Sequence, residues 1–205
     1  MSIRNGLVTL LLLTGLTACG DTLQTIGTLA AGPAIDVTRD NSTGGDAAFT
    51  SVAVTSVEIV VPQSLTVSEA NVLVPMSDIV WRGDPLGDRR AQVAAIILDA
   101  ANTATSGMVE GRGVVLRLEV VRFHALTEKA RYLIGGNYAL RFLMTLRDAE
   151  TGTVIDGPRP LDADLRASGG VRAIAEENAG RTEKVVITER LAEVITYELT
   201  HLVLQ

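Results

Sequence analysis

The feature that most constrains the fold is a stretch of strict alternation between residues 138 and 147. Large apolar side chains occupy every second position, and mostly small or polar ones lie between them: Tyr138, Leu140, Phe142, Met144 and Leu146 against Ala139, Arg141, Leu143, Thr145 and Arg147. A period of two places the apolar side chains on one face of a β-strand. That face needs a second layer to cover it.

Other segments add strands to this one. Residues 114–120 repeat the alternation, and a polar connection through Gly135-Gly136 joins them to the first strand, which predicts an antiparallel pair. Residues 148–152 predict a turn into a further strand. Strands are also predicted over 52–61, which Pro62 ends, and near 161–165, whereas the apolar pieces 72–74 and 79–81 are interpreted as edge strands or loop.

Two segments have the helical period. Asp84-Pro85 predicts a helix start, and the apolar residues that follow, as far as Ala104, share one face until Gly107 ends the helix. A second helix, over 182–203, carries a broad apolar stripe. Since two such helices need a shared surface, we expect an α+β fold: a two-layer sandwich of a mainly antiparallel sheet with two helices packed on one face.

The first 18 residues predict a lipoprotein signal peptide. Arg4 precedes an apolar stretch over 7–16, and about ten helical residues rise only roughly 15 Å, half of a hydrocarbon core roughly 30 Å thick. Leu16-Thr17-Ala18-Cys19 matches the bacterial lipobox, and Cys19 is the chain's one cysteine. An ordinary secretory leader with Cys19 as an incidental thiol is the alternative.

Acylation of Cys19 would anchor the protein in a membrane, because two or more acyl chains bind a bilayer stably. We therefore expect a periplasm-facing protein of the bacterial cell envelope, and Gly20 in place of an acid after the cysteine favours the outer membrane. The predicted organisation is a signal peptide over 1–18, a lipidated N-terminus and flexible tether over 19–50, and a globular domain over 51–205.

Composition excludes several classes of function. A net charge of −6 and a pI near 5.0 argue against nucleic-acid binding, which needs a basic face. Two histidines and one cysteine are too few for a zinc cluster or a redox dithiol, so no metal or cofactor is expected.

The candidate chemical residues have simpler structural interpretations. His124 and His201 have no partner in sequence, and Asp162 and Asp164 are expected on a solvated edge, so we predict no enzyme. A pocket that gathers both aspartates with a histidine would reverse that expectation. Trp81 is either a core residue that closes the entry to the first helix or an exposed anchor for a partner.

Several short motifs occur in a distinctive order behind the lipobox. They are Trp81-Arg82-Gly83-Asp84-Pro85-Leu86 at the opening of a helix, Val120-Val121-Arg122-Phe123-His124 at the end of a strand, and a strand after Gly135-Gly136. In this order the chain resembles the ABC-type transport auxiliary lipoproteins, which serve paraquat-inducible and other MCE-protein lipid transport systems, or a related alphaproteobacterial lipoprotein family.

The resemblance implies a non-catalytic subunit at the periplasmic face of a membrane. Such a subunit docks to a protein of the transport complex or assembles with its own copies as a ring. The leading hypothesis is therefore a lipid-anchored accessory protein that binds a partner through one sheet face or edge. The alternative is a small lipid-binding or orphan envelope-structural lipoprotein, and lipid binding requires an apolar cavity between helices and sheet.

Overall fold

The computed structural model describes residues 51–202, so the predicted signal peptide, tether and lipidated Cys19 lie outside the described residues. Ten elements follow in chain order, and the helices and strands alternate irregularly: β1 (Val52–Val60), β2 (Ile79–Val80), α1 (Arg89–Thr105), β3 (Arg112–His124), α2 (Glu128–Leu133), β4 (Gly136–Asp148), β5 (Val154–Asp162), β6 (Leu165–Ala167), α3 (Val171–Asn178) and α4 (Glu183–Leu202).

The strands form one open sheet in the order β1-β3-β4-β5. β4 pairs antiparallel with β3, β5 and β6, whereas β1 and β2 run parallel to β3. The predicted α+β class and mainly antiparallel sheet are therefore confirmed. The parallel edge strand β1 was not predicted; it arises because α1 lies in the connection between β1 and β3, and a helical crossover returns the chain in the same direction.

A single hydrophobic cluster fills the space between the helices and the sheet. Its helical side is supplied by α1 and α4, which pack against each other, and its sheet side by the alternating residues of β3 and β4. Its almost completely buried members on these four elements include Ile96, Ile97, Leu116, Leu118, Leu140, Phe142, Met144, Ile187, Leu191 and Ile195. Each such side chain contributes about 1.5–3 kcal/mol through removal from water.

The boundaries of the two long helices differ in how well the sequence predicts them. α4 spans nearly the predicted segment, but α1 begins at Arg89 and not at Asp84-Pro85. Asp88 is the N-cap, since its side chain accepts hydrogen bonds from the backbone N–H groups of Arg90 and Ala91. Asp84 accepts instead from the Trp81 indole, so it is not free to cap the helix.

The sheet has two ends that differ in what they carry. We call the end where β1 and β3 begin the base, and the end where β3 finishes and β4 begins the tip. β3 has 13 residues, which at about 3.3 Å each separate base and tip by roughly 40 Å. Both long helices begin near the tip and finish near the base. The described chain enters at the base, because β1 pairs with the first residues of β3.

Candidate binding surface

Aliphatic side chains are concentrated in solvent at the tip. Val74 is 72% exposed, Met76 93%, Leu133 62% and Ile134 69%, and Leu73 is also exposed. These five residues, from the 72–76 loop and the end of α2, are called the apolar tip below. A groove of about 240 Å³ is lined by three of them, Leu73, Val74 and Ile134, and by residues 124–127.

Polar contacts beneath the 72–76 loop fix it in place. The Thr127 hydroxyl donates to the Val72 carbonyl at 2.7 Å and accepts from the Ala130 N–H at 3.1 Å, so one side chain ties the loop to α2 and also caps that helix. The Asn71 side-chain oxygen accepts from the Lys129 N–H at 2.9 Å. These hydrogen bonds hold the backbone of the loop against α2. The aliphatic side chains of the loop therefore lie in solvent in a defined arrangement.

An ion-pair network supports the same loop from the side of α1. The buried Arg89 donates to both carboxylate oxygens of Glu69, at 2.7 and 3.0 Å, and Arg82 joins Glu69 to Glu128 of α2. The Arg89 hydrogen bonds hold the pKa of Glu69 below its ordinary value. The loop that carries the apolar tip is thus held between two helices by charge-assisted hydrogen bonds.

Cations surround the groove. Arg122 contacts the Nδ1 atom of groove-lining His124 at 2.9 Å, Arg166 pairs across the sheet with groove-lining Asn137, and Lys129 lies two residues beyond Thr127. Within residues 51–202, Lys129 and Arg166 form no ion pair with a carboxylate. The Arg122 charge instead adds to the Thr66 hydrogen bonds that lower the pKa of Asp78. Burial, and then the Arg122 charge, lower the pKa of His124, so its ring is neutral at pH 7.

A second, more polar cleft of about 210 Å³ lies on the other side of α2. At its floor, Glu183 is almost completely buried and accepts a hydrogen bond from the Leu126 N–H at 3.0 Å. Burial raises the pKa of Glu183 to about 7, although Arg131 and Tyr138 beside it act in the opposite direction. Arg131 donates to the Tyr138 hydroxyl at 3.1 Å. This cluster joins the start of α4 to the β3–α2 connection.

The apolar tip and the Glu183 cluster were not predicted from the sequence. Glu183 did leave a signal, because it precedes Ile187, Leu191 and Ile195 at intervals of four residues and so lies on the buried stripe of α4. The apolar tip left a weaker signal: the 72–74 run resembles a short buried strand, and no periodicity distinguishes the two.

Trp81 belongs to the core, the first of its two interpretations. The ring is fully buried, meets Phe123 edge to face at 6.0 Å, and donates from its indole nitrogen to Asp84 at 2.8 Å. A partner therefore has no access to the indole in this structure. The partner-facing interpretation of Trp81 is corrected accordingly, because packing on the end of β3 covers the ring.

The remaining chemical candidates lie apart from one another. Asp162 and Asp164 are exposed, and Arg141 contacts both, at 3.8 and 3.0 Å. His201 is exposed on α4, where it stacks on Tyr197 at 3.8 Å, and His124 lines the groove at the tip. Among the described residues, no group of three histidine, cysteine or acidic side chains could hold a metal ion.

Comparisons with known proteins find a matching family and distantly similar solved structures. A family model described as "Family of unknown function (DUF6778)" matches residues 52–204. A crystal structure of a "putative lipoprotein" from Caulobacter crescentus CB15 is 14% identical, with a TM-score of 0.35 over 74% of this chain and 89% of that one. No curated protein matches the chain. Within residues 51–202, no helix is long and apolar enough to span a bilayer.

Proposed function

The chain belongs to this family of unknown function, and from the structure we propose that it is a non-enzymatic accessory lipoprotein of the bacterial cell envelope that works by binding. The apolar tip carries the proposal. Exposed aliphatic groups that cluster on an otherwise well-packed domain mark interaction sites, because leaving them in water opposes the burial that stabilises the rest of the fold.

Lipidation at Cys19 supplies the location in this proposal. The support is the lipobox that ends in the chain's one cysteine, since the thiol is the group that receives diacylglycerol. A second signal on top of one acyl chain is what makes membrane attachment stable, and a lipidated N-terminal cysteine carries several chains. The protein then faces the periplasm, from the outer membrane if Gly20 has the sorting effect expected of it.

The partner in this proposal is a subunit of an ABC-type or MCE-type lipid transport complex. Support comes from the order of sequence motifs, and from the sheet face that α1 and α4 leave uncovered. That face carries charged side chains in a mosaic, such as Arg117 between Glu58 and Glu119 at 3.7 and 3.2 Å. Charged mosaics of this kind give register and specificity to a protein contact. A second copy of the chain is the alternative partner.

Mass spectrometry of protein purified from its native membrane tests the anchor. We expect the leader to be absent and Cys19 to carry acyl chains. We also expect a high-salt wash to release the Cys19→Ala protein from the membrane fraction. Its Trp81 fluorescence should still report a folded domain. Thr17→Ser is the matched control, because it keeps the lipobox. An unmodified thiol in the native protein, or a retained leader, contradicts the proposal.

Crosslinking tests the partner. We expect the lipidated protein to crosslink to an MCE-domain protein or an ABC permease encoded beside it, and charge reversal at Arg117 to reduce that product. Crosslinks only to copies of itself would favour the ring, and neighbouring genes without either transport component would favour an orphan envelope lipoprotein.

An internal lipid carrier is the weaker alternative, for a structural reason. Its cavity would have to lie between the helices and the sheet, where side chains of one hydrophobic cluster already fill the space. Inserting an acyl chain there would displace side chains such as Ile97 and Met144, which are fully buried. Binding of a lipid surface at the tip needs no such displacement.

A further inference from the structure

We infer that the apolar tip docks on the surface of an anionic phospholipid bilayer, the same bilayer that holds Cys19. This inference rests on the proposed anchor and adds an orientation to it. A chain held only by an acylated N-terminus has a fixed location but no fixed orientation, whereas a second contact, at the opposite end of the domain, defines which surface faces the membrane.

The chemistry of the apolar tip fits a hydrocarbon phase better than a protein. Its five side chains are Leu73, Val74, Met76, Leu133 and Ile134, and none of them is aromatic or charged. The neighbouring Tyr132 is 39% exposed, but it lines the cleft on the other side of α2, where its hydroxyl donates to Glu177. Protein interfaces depend on tryptophan, tyrosine and arginine for most of their binding energy, and leucine and valine are under-represented there. Insertion into a bilayer depends instead on buried apolar area, which aliphatic side chains supply.

The charge around the tip fits an anionic lipid surface. Lys129 and Arg166 lie around the groove without an ion-pair partner in the described part of the chain. Arg122 lies beside them, where it contacts His124 and its charge adds to the Thr66 hydrogen bonds that lower the pKa of Asp78. Nearby carboxylates are already engaged: Glu128 by Arg82, and Asp164 by Arg141. A chain of net charge −6 is repelled by anionic lipids as a whole, so a local group of cations, of which Lys129 and Arg166 form no ion pair among the described residues, favours this end over the others.

The chain length between Cys19 and β1 permits this orientation. β1 begins at the base, so docking by the tip requires the connection to span the roughly 40 Å length of the sheet. Roughly thirty residues separate Cys19 from β1, and an extended chain of that length reaches at most roughly 100 Å. The anchor and the tip can therefore occupy one leaflet at the same time.

Docking in this way leaves the rest of the domain available. The first turns of α1 and α4 would face the bilayer, and the uncovered sheet face with Arg117 would lie to the side, open to a partner. Without the anchor, five aliphatic side chains and three cations give weak, reversible binding. With the anchor, the effective concentration of the bilayer is high, so a weak contact is sufficient to orient the domain.

Vesicle binding by a chain without acyl groups tests the inference. The protein is the mature chain from residue 19 onward carrying Cys19→Ala, and the probes are vesicles of phosphatidylethanolamine with phosphatidylglycerol, or of phosphatidylcholine alone. We expect cosedimentation with the anionic vesicles, weakening as salt rises, and little with phosphatidylcholine. Val74→Asp with Ile134→Asp should weaken binding at least tenfold, because two inserted side chains become charged.

Matched variants separate this effect from unfolding. Val109→Asp changes an equally exposed valine, 75% against 72% for Val74, in the loop before β3 at the base, and it should bind like the parent. Lys129→Glu with Arg166→Glu should abolish the preference for anionic vesicles, whereas Arg190→Glu, seven residues into α4 and away from the tip, should not. Trp81 fluorescence and the thermal midpoint show that each variant is folded.

The outcomes that overturn the inference do not affect the anchor. If the parent fails to bind anionic vesicles, or if the Val74 and Ile134 variant binds like Val109→Asp, the tip does not dock on lipid. Acyl chains found on Cys19 would still support the proposed function in that case. An unmodified Cys19 with normal vesicle binding would instead reject the anchor and keep the tip contact.

Discussion

Glu183 is a buried acid near the tip, and its carboxylate links the β3–α2 connection to α4 by accepting a hydrogen bond from the Leu126 N–H. Its pKa rises from 4.5 to about 7 on folding, so the folded state binds the proton more tightly than the unfolded state. Stability therefore falls as the pH rises from about 4.5 to about 7, by roughly 3 kcal/mol. We expect urea unfolding to show this loss, and Glu183→Gln to remove it.

The difference in unfolding free energy between Glu183→Gln and the wild type can be predicted at each pH. Glutamine resembles the protonated side chain, so the variant should match the wild type near pH 4.5 and exceed it at pH 8. Glu189→Gln, on an exposed position of the same helix, should leave the pH dependence in place. A Glu183→Gln variant that still loses stability between those pH values would assign the dependence to another group.

Gly83 is a second residue of interest, because the Trp81 ring leaves no room for a side chain at this position. A Cβ atom there would lie 2.4 Å from the Cη2 atom of the fully buried Trp81 ring. The ring cannot move aside without breaking its hydrogen bond to Asp84, so Gly83→Ala should destabilise the fold by about 1–3 kcal/mol. Urea unfolding followed by fluorescence of the single tryptophan measures this directly.

Gly107→Ala provides the comparison, because a Cβ atom there meets nothing within 4 Å. It should change the unfolding free energy by less than about 0.5 kcal/mol. Equal effects of the two substitutions would mean that the Trp81 ring adjusts freely, contrary to its complete burial.

At the scale of elements, the sequence predicts those whose apolar pattern is longest. The alternation over 138–147 and the stripe over 182–203 give β4 and α4 almost to the residue, because one face of each is buried along its length. α2 and α3 have only 6 and 8 residues, too few for a helical period, and both were missed. Tertiary contacts, such as Thr127 with the 72–76 loop, determine them instead.

The start of α1 shows why helix boundaries are harder to predict. Asp84-Pro85 and Asp88 are both good starts, and only the structure shows that Trp81 and Lys184 use the carboxylate of Asp84. We expect Asp88→Ala to cost about 1 kcal/mol of unfolding free energy, because the N–H groups of Arg90 and Ala91 lose their acceptor. Thermal or urea unfolding checks this value.

An exposed acid within the same helix is the control for that cap. Asp99→Ala removes a side chain without a capping role and should be neutral or slightly stabilising, since alanine is the better helix former. If Asp88→Ala were as mild as Asp99→Ala, the helix would have to begin at another residue, and Asp84 would be the first to examine.

At the scale of the whole molecule, the binding surface could not be predicted for a reason that differs from the missed helices. The apolar tip joins the 72–76 loop to the end of α2, which lie about sixty residues apart in sequence. Only the sheet brings them together, because β2 and β3 both finish at the tip. Sequence patterns show which residues are apolar; which of them remain in solvent follows from tertiary structure.

The length of the connection before β1 gives a prediction for the intact, anchored protein. Deleting residues 22–45 keeps Cys19 to Asp21 but leaves about eight residues before β1, which reach at most roughly 30 Å. That is shorter than the sheet, so the tip should no longer reach the leaflet that holds the anchor while the domain stands upright. A replacement of the same segment by glycine and serine at equal length should preserve tip contact.

A label on the tip measures this outcome in proteoliposomes. Acylated Cys19 leaves no free thiol, so Val74→Cys introduces a single site for an environment-sensitive fluorophore, and Val109→Cys does the same near the base. We expect a blue-shifted emission at position 74 in the parent and in the glycine–serine replacement, and a loss of that shift in the deletion. A fluorophore at position 109 should show the emission it has in water in all three proteins, because this position lies at the opposite end of the sheet. An unchanged shift at position 74 in the deletion would show that the domain lies flat on the bilayer, with its sheet and not its tip as the contact.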